Sequence, residues 1–292
     1  MDNILFSVAY IVMIEKNIPD FSIEQIANSG QCFRLNRTEE DHVWQLVAFG
    51  KLLKIKQIPG DEKVAFSCSN EEFADIWEDY FDLKRNYGDI KNAIIALKDP
   101  YLSAAVRYGY GLRMLKQDLW EMIITAITSQ QNNISRIKQI IEKLCAPYGH
   151  QFPSSGTLAA HSEEFYRSLG FGYRAKYILN TARTVENGDL ELSRLRQLPC
   201  RDAIKYLKTF PGIGEKVANC IALFGLHLVD AFPVDVWIKR IIDKRYHGRF
   251  DTSRFQSFAG IVQQYMFYYE RNLSKISPRE AGKFVNFENS SD

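Results

Sequence analysis

The chain has 292 residues, 46% of them hydrophobic and 25% charged, the balance of a soluble globular protein with material for one large domain or two ordinary ones. Its five cysteines (Cys32, Cys68, Cys145, Cys200, Cys220) are widely spaced without a CxxC pair, and its five histidines are scattered, which argues against a zinc site, a secreted disulfide framework and any catalytic metal. The net charge of +2 hides an asymmetry: residues 1–99 carry 11 Lys and Arg against 17 Asp and Glu, and residues 100–292 carry 26 against 18, so a surface for polyanions is expected in the second part.

The apolar stretch 4–14 has Asp2 in front of it, no basic start and no small-residue cleavage pattern behind it. It is too short to span a bilayer and reads as a buried strand, not as a signal peptide. Alternating runs follow at residues 43–49, 52–58 and 64–66, with breaks at Gly30, Gly50 and Pro59-Gly60. Period-two runs with Gly/Pro punctuation predict an antiparallel sheet over the first ~90 residues. From Asp89 onward the apolar period becomes helical, and Pro100 stands near the change. The expected fold class is therefore α+β, with a small antiparallel β-rich domain over 1–99 and a mostly α-helical domain over 100–292. Leu119, Met122, Ile123, Ala126 and Ile127 share one helix face. The amides Gln130, Gln131, Asn132 and Asn133 interrupt the stripe, which Ile134, Ile137, Ile141 and Leu144 resume. Further helices are expected at 162–169, 174–187, 201–210, 215–227, 236–246 and 254–271.

The most informative segment runs from Leu207 to Ala218. A helix ends near Phe210, Pro211 cannot continue it, and Gly212 and Gly214 allow a tight turn close to a partner. A second helix then starts at Glu215, and its free N–H groups and positive dipole end form a phosphate site. That is the design of a helix-hairpin-helix, a sequence-independent grip on a DNA backbone. An ordinary helical corner with a Gly-rich turn would look similar, were it not for Lys216 in the first turn. The helix dipole opposes a cation there. The same opposition, with burial, frees an amine lone pair for attack on carbon. Lys216 and Cys220 lie four apart on one face. Asp235 is placed to cap the next helix, a structural role in its own right. Backbone N–H bonds to its carboxylate are expected to keep it ionised, as stabilising a cationic sugar requires.

These residues lie within PGIGEKVANCIALFGLHLVDAFPVDVW (211–237), and here the chain resembles the 8-oxoguanine DNA glycosylase family in hairpin, lysine, cysteine and PVD order. Four other segments are similar to that family in the same order: SGQCFR at 29–34, the Asn-rich DNA-inserting loop TSQQNNISRI at 128–137, the wedge LGFGYRAKY at 169–177, and the base-pocket helix AGIVQQYMF at 259–267. The resemblance covers most of the chain.

The resemblance implies a helix-hairpin-helix glycosylase and lyase without an iron–sulfur cluster, acting on double-stranded DNA that contains 8-oxoguanine. A base in a duplex must be flipped out before its sugar can be reached. Lys216 would then attack C1′ with help from Asp235. Cys220 and Phe267 would sandwich the flipped base, and Gln263 would bond its Watson–Crick edge. The carbonyl of Gly30 would accept from the N7 hydrogen that 8-oxoguanine has and guanine lacks. Tyr173 with Gln131, Asn132 and Asn133 would fill the vacated space, and Arg136 and Arg174 would bond the orphaned base. Gly212, Gly214 and Trp237 would meet the backbone. No cofactor is required; a monovalent or calcium ion on the hairpin carbonyls of Lys208, Phe210 and Ile213 is compatible with the family. A monomer without membrane association is expected, cytoplasmic and nucleoid-associated in a prokaryote or nuclear in a eukaryote. Two positions depart from the family: Gln131 stands where the loop usually has Asn, and Trp237 where animal members have a phosphate-binding His. Two other readings remain beside this one. Related glycosylases for adenine mispairs or oxidised pyrimidines commonly carry an iron–sulfur cluster after the catalytic Asp, and this chain has no cysteine beyond Cys220. A non-catalytic helix-hairpin-helix module would not require Lys216 and Asp235 at this spacing.

Overall fold

The computed structural model describes residues 13–273. Five strands form one antiparallel sheet: β1 (Ile14–Asn17), β2 (Leu35–Arg37), β3 (Val43–Ala48), β4 (Lys51–Lys56) and β5 (Lys63–Phe66), in the spatial order β1-β5-β4-β3-β2. The register sets Leu35 opposite Leu46 and Leu46 opposite Leu53, and it sets Trp44 opposite Ile55 and Ile55 opposite Phe66. Because side chains alternate with period two, these pairs gather on one buried face. The tip joining β3 to β4 is Phe49-Gly50, both at positive φ, as a two-residue hairpin turn requires. Of the apolar stretch 4–14, only the end falls within the described residues, and there β1 begins at Ile14.

The first part also contains helices that the period-two reading did not foresee. They are α1 (Ile23–Asn28), then α2 (Asn70–Glu72) and α3 (Glu78–Tyr80), with a π-type turn Phe73–Trp77 between the last two. Ile23, Ile26, Phe73, Trp77, Tyr80 and Phe81 cover the apolar face of the sheet. Helices of three to six residues are too short to show a period, and their local signals are the caps Ser22 and Ser69, which accept from the N–H groups of Gln25 and Glu72.

The helical part follows as α4 (Tyr87–Ile95), α5 (Pro100–Tyr108), α6 (Leu119–Thr128), α7 (Ile134–Cys145), α8 (Ser155–Ala159), α9 (Glu163–Leu169), α10 (Ala175–Glu186), α11 (Leu192–Leu195), α12 (Cys200–Leu207), α13 (Glu215–Phe224), α14 (Val236–Arg245) and α15 (Ala259–Asn272). Helix α6 is buried at every position but Glu121 and packs against α13, α10 and α7, so its C-terminal end is a rigid platform. The helix expected from residue 254 starts instead at Ala259, after a 3-10 turn over Thr252–Phe258. The N–H of Gly260 is taken by the carbonyl of Val229 (2.7 Å), so it cannot continue a helix from the preceding turn. Among the described residues no helix is long and apolar enough to cross a membrane.

Residues 109–118, a turn over 109–111 followed by a stretch without regular structure, lie between the sheet and the helices and bind both. Gln31 of the 29–34 turn is fully engaged: its Oε1 accepts from Leu115 N (2.8 Å), its Nε2 donates to Arg113 O (2.8 Å), and its own carbonyl accepts from Gln117 Nε2 (2.8 Å). Arg113 lies over the Tyr87 ring and donates to the carbonyls of Pro19, Asp20 and Asp82. Gly111 donates to Gln25 Oε1, and its carbonyl accepts from Ser22 N. A Cβ at Gly111 would stand 2.5 Å from Ser22 Cβ and 2.6 Å from Ser22 N, which only movement of the α1 cap could relieve. Gly111→Ala should therefore lower unfolding free energy by about 1–3 kcal/mol, as overpacking against fixed backbone does. Urea denaturation checks this, and an unchanged midpoint would show that the segment moves freely against α1.

Candidate active site

The hairpin between α12 and α13 is closed by Ile213 N donating to Phe210 O, with Ile213 buried beneath it. Gly212 has φ +83° and rests on the ring of Tyr177, which a Cβ would approach to 2.5 Å. No side chain caps α13, whose N-cap is the exposed Gly214. The first N–H groups of α13 are thus left for an external anion. Glu215 pairs with Lys208, and that pairing holds its carboxyl below the usual range.

Lys216 sits in the first turn of α13, half-buried, and donates from Nζ to Ser129 Oγ at 3.2 Å. Cys220, one turn on, is buried; burial pushes its thiol up, Lys216 pulls it down and Asp235 pushes it further up. Asp235 caps α14 as expected, its Oδ1 accepting from Trp237 N (3.0 Å) and Ile238 N (2.9 Å). Burial outweighs the two N–H groups and the Lys216 charge, and it pushes Asp235 above the ordinary aspartate range. Lys216, Cys220 and Asp235 therefore form one electrostatic group.

A line of contacts leads from this group to the 29–34 turn. Ser129 and the loop after it lead to Ile134, whose Cδ1 faces Gly30, and Gly30 faces the ring of Phe267 and the guanidinium of Arg271. Gly30 has φ +80°, and a Cβ there would stand 3.0 Å from Ile134 and 3.3 Å from Phe267. Its neighbours hold it in place: Gln264 Nε2 donates to Ser29 O (2.8 Å), Phe33 packs on Ile137 and Ile141 of α7, and Arg34 pairs with Glu121 of α6 (3.3 Å). Burial pushes Glu121 up to about 7 despite that pairing. Gln263 and Phe267 share a face of α15. Gln263 is 4% exposed, and its Oε1 is buried without a hydrogen-bond partner, whereas Phe267 is half-buried. A buried amide oxygen left unbonded is costly, and a bound polar group would relieve it.

The loop residues divide into two kinds. Asn132 Nδ2 donates to Thr128 O, and Asn133 caps α7 by accepting from Arg136 N, so both amides shape the loop itself. Gln131, at φ +46°, and Arg136 project exposed. Tyr173 is 46% exposed, with Arg174 over its ring at 4.6 Å. Arg174 itself is 5% exposed and donates to the carbonyls of Gln130, Gln131 and Phe171, so here it clamps the loop and offers no free edge. Gln130 reaches the other way and donates from Nε2 to Gly212 O (2.9 Å). Trp237 is half-buried beside Asp235, with Arg240 over its ring at 4.9 Å. Among the described residues no three His, Cys, Asp or Glu are grouped to hold a metal.

The sequence pattern gives Ser129, Gln130, Gln264 and Arg240 no separate role. Ser129 meets Lys216 across 87 positions, and nothing local to either announces that contact.

Residues 13–123 match the family of 8-oxoguanine DNA glycosylase N-terminal domains, and residues 124–253 match the HhH-GPD superfamily of base excision DNA repair proteins. The N-glycosylase/DNA lyase OGG1 of Arabidopsis thaliana is 30% identical over 306 residues, spanning 88% of this chain and 80% of that protein. A probable N-glycosylase/DNA lyase of Methanothermobacter thermautotrophicus is also 30% identical, over 91% of this chain and 98% of its own length. Among solved structures, the Clostridium acetobutylicum 8-oxoguanine glycosylase/lyase in complex with double-stranded DNA containing cytosine opposite 8-oxoG is similar at a TM-score of 0.81 and 32% identity, covering 90% of this chain and 98% of that one. With both halves matched in order and relatives alike along nearly the whole length, the chain belongs to the 8-oxoguanine DNA glycosylase family.

Proposed function

We propose that this chain excises 8-oxoguanine from double-stranded DNA and then cleaves the abasic strand, with Lys216 as nucleophile. The observation that carries the reading is the grouping of the Lys216 amine, the Cys220 thiol and the Asp235 carboxyl at the uncapped start of α13. The uncapped N–H groups suit a phosphate beside the lysine, so backbone grip and nucleophile stand at one helix end.

In the proposed reaction the lone pair of a neutral Lys216 forms a bond to C1′ of the flipped nucleotide. The glycosidic C1′–N9 bond breaks, its electron pair leaves with the base, which takes up a proton, and the amine nitrogen gives one up. The Asp235 carboxylate stabilises the positive charge that develops on the sugar. Ring opening then gives a Schiff base, loss of a C2′ proton drives out the 3′ phosphate, and hydrolysis frees Lys216. No cofactor enters this balance. A cation on the hairpin would use the carbonyls of Lys208, Phe210 and Ile213; that of Phe210 accepts from Ile213 N and keeps a second lone pair for the ion.

The half-buried Phe267 and buried Cys220 suit the two faces of a base, and the unbonded Gln263 Oε1 suits an N–H on its edge. The fixed Gly30 carbonyl suits the N7 hydrogen of the oxidised base. Tyr173, exposed at the tip of its turn, suits the space that the base leaves. Of the two arginines, the exposed Arg136 is the reader of the opposite base, and Arg174 holds the loop that presents it.

Lys216→Gln should lower excision by about three orders of magnitude or more while DNA affinity persists, because a nucleophile cannot be replaced whereas the grip uses backbone groups. Borohydride should trap wild type on 8-oxoguanine DNA; a trapped Lys216→Gln adduct would remove the assignment.

Asp235→Asn should leave α14 capped, since Asn also caps well, yet slow excision at least about tenfold. Because its folded pKa is raised, Asp235 becomes protonated, and its charge is lost, at a higher pH than for an ordinary aspartate as pH falls. The acid limb of the wild-type single-turnover rate should therefore contain one more ionisation than that of Asp235→Asn. Identical limbs would leave Asp235 only its capping role.

Arg136→Ala should change the ranking of the four bases opposite the lesion, losing about 1–3 kcal/mol at the preferred partner. Arg174→Ala should instead slow excision for all four alike. Gln131→Asn should sharpen the preference for cytosine, because the longer amide loses more rotamer entropy when fixed. Excision from the four lesion pairs by each variant checks all three; an unchanged ranking in Arg136→Ala would contradict the division of labour.

A further inference from the structure

The geometry points to Ser129 as the positioning residue that aims the Lys216 lone pair. The inference rests on the reading of Lys216 as nucleophile. Ser129 closes α6, its own N–H bonded back to Thr125 O (2.9 Å), at the end of a helix buried at every position but Glu121. Its hydroxyl hydrogen is committed to Ala126 O at 2.7 Å. The oxygen therefore has only lone pairs to offer Lys216, and it accepts from Nζ at 3.2 Å.

A neutral amine carries two N–H bonds and one lone pair. With one N–H on Ser129 Oγ, the lone pair is confined to directions away from that partner. Without Ser129 the four-carbon stem regains rotamers, and only a fraction of them aim the nitrogen at C1′. Attack at a ring-closed C1′ needs the reacting atoms aligned within a narrow range, so this fraction enters the excision rate directly. Ser129 transfers no proton and forms no bond to substrate; it acts through Lys216 alone. In the step it serves, the nitrogen pair forms the C1′–N bond, the C1′–N9 pair departs with the protonated base, and the nitrogen proton goes to solvent.

The test compares wild type, Ser129→Ala and Ser129→Thr on duplexes carrying 8-oxoguanine opposite cytosine. Single-turnover excision, borohydride trapping, DNA affinity and melting temperature are measured for each. Ser129→Ala should excise and trap about tenfold more slowly, the worth of one lost hydrogen bond, with affinity and melting unchanged. Ser129→Thr keeps the hydroxyl and should recover most of the rate. Wild-type rates in Ser129→Ala would overturn the inference. So would a slowing matched by equal losses of affinity or melting temperature, which would mark a role in the fold. Failure of wild type itself to form a trapped adduct would take down the lysine assignment and this inference with it, whereas a normal wild-type adduct beside an unimpaired Ser129→Ala takes down this inference alone.

Discussion

The start of α13 must satisfy two demands that oppose each other. A phosphate needs its N–H groups uncapped, which Gly214 arranges by having no side chain to cap them. The proposed nucleophile, Lys216, stands in the same turn, where the positive end of the dipole disfavours a cation by about 0.3–1 kcal/mol. The surroundings reconcile the two. Ser129 accepts from the amine, the Asp235 carboxyl supplies opposing charge from the next helix, and Cys220 lies one turn below.

Around that helix end, segments far apart in the chain hold one another by backbone contacts. Tyr177 of α10 carries Gly212 on its ring, Gln130 of the inserting loop bonds the carbonyl of the same glycine, and Arg174 returns from α10's leading turn to the loop carbonyls. Hairpin, loop and wedge therefore cannot shift independently. In the proposed complex, a phosphate on the hairpin would be mechanically continuous with the 129–133 loop.

The 29–34 turn is held with comparable stringency by different means. Gln31 bonds the Arg113 carbonyl, the Leu115 N–H, the Gln117 side chain and the Ser29 hydroxyl, and Arg34 is buried against Glu121. Burying that pair is expensive for the carboxyl, as its rise to about 7 records, and such pairs contribute little net stability. Their effect is geometric. Arg34 anchors the turn to α6, the helix that ends at Ser129, so the Gly30 carbonyl and the Lys216 amine are referred to one rigid element.

The long helices, the sheet strands and the hairpin were legible in the sequence because each follows from local pattern: period two for 43–66, helical stripes for 119–144, and proline and glycines at 211–214. The short helices at 23–28 and 70–80 were not, because three to six residues hold no period. Motif order also named Lys216, Asp235, Gln263 and Phe267 as candidates. What chemistry surrounds each of them was decided only by folding. The cap bonds of Asp235 follow from its place before α14, but the burial that moves its carboxyl upward comes from the rest of the molecule. Arg174 lies 5% exposed against loop carbonyls more than forty positions away, a set of partners that no local pattern announces. Residue types and spacings can assign a chemical capacity to a position because that capacity belongs to the side chain. Solvation, partners and the direction of a lone pair belong to the space between segments, and that space exists only once the sheet and helices have packed.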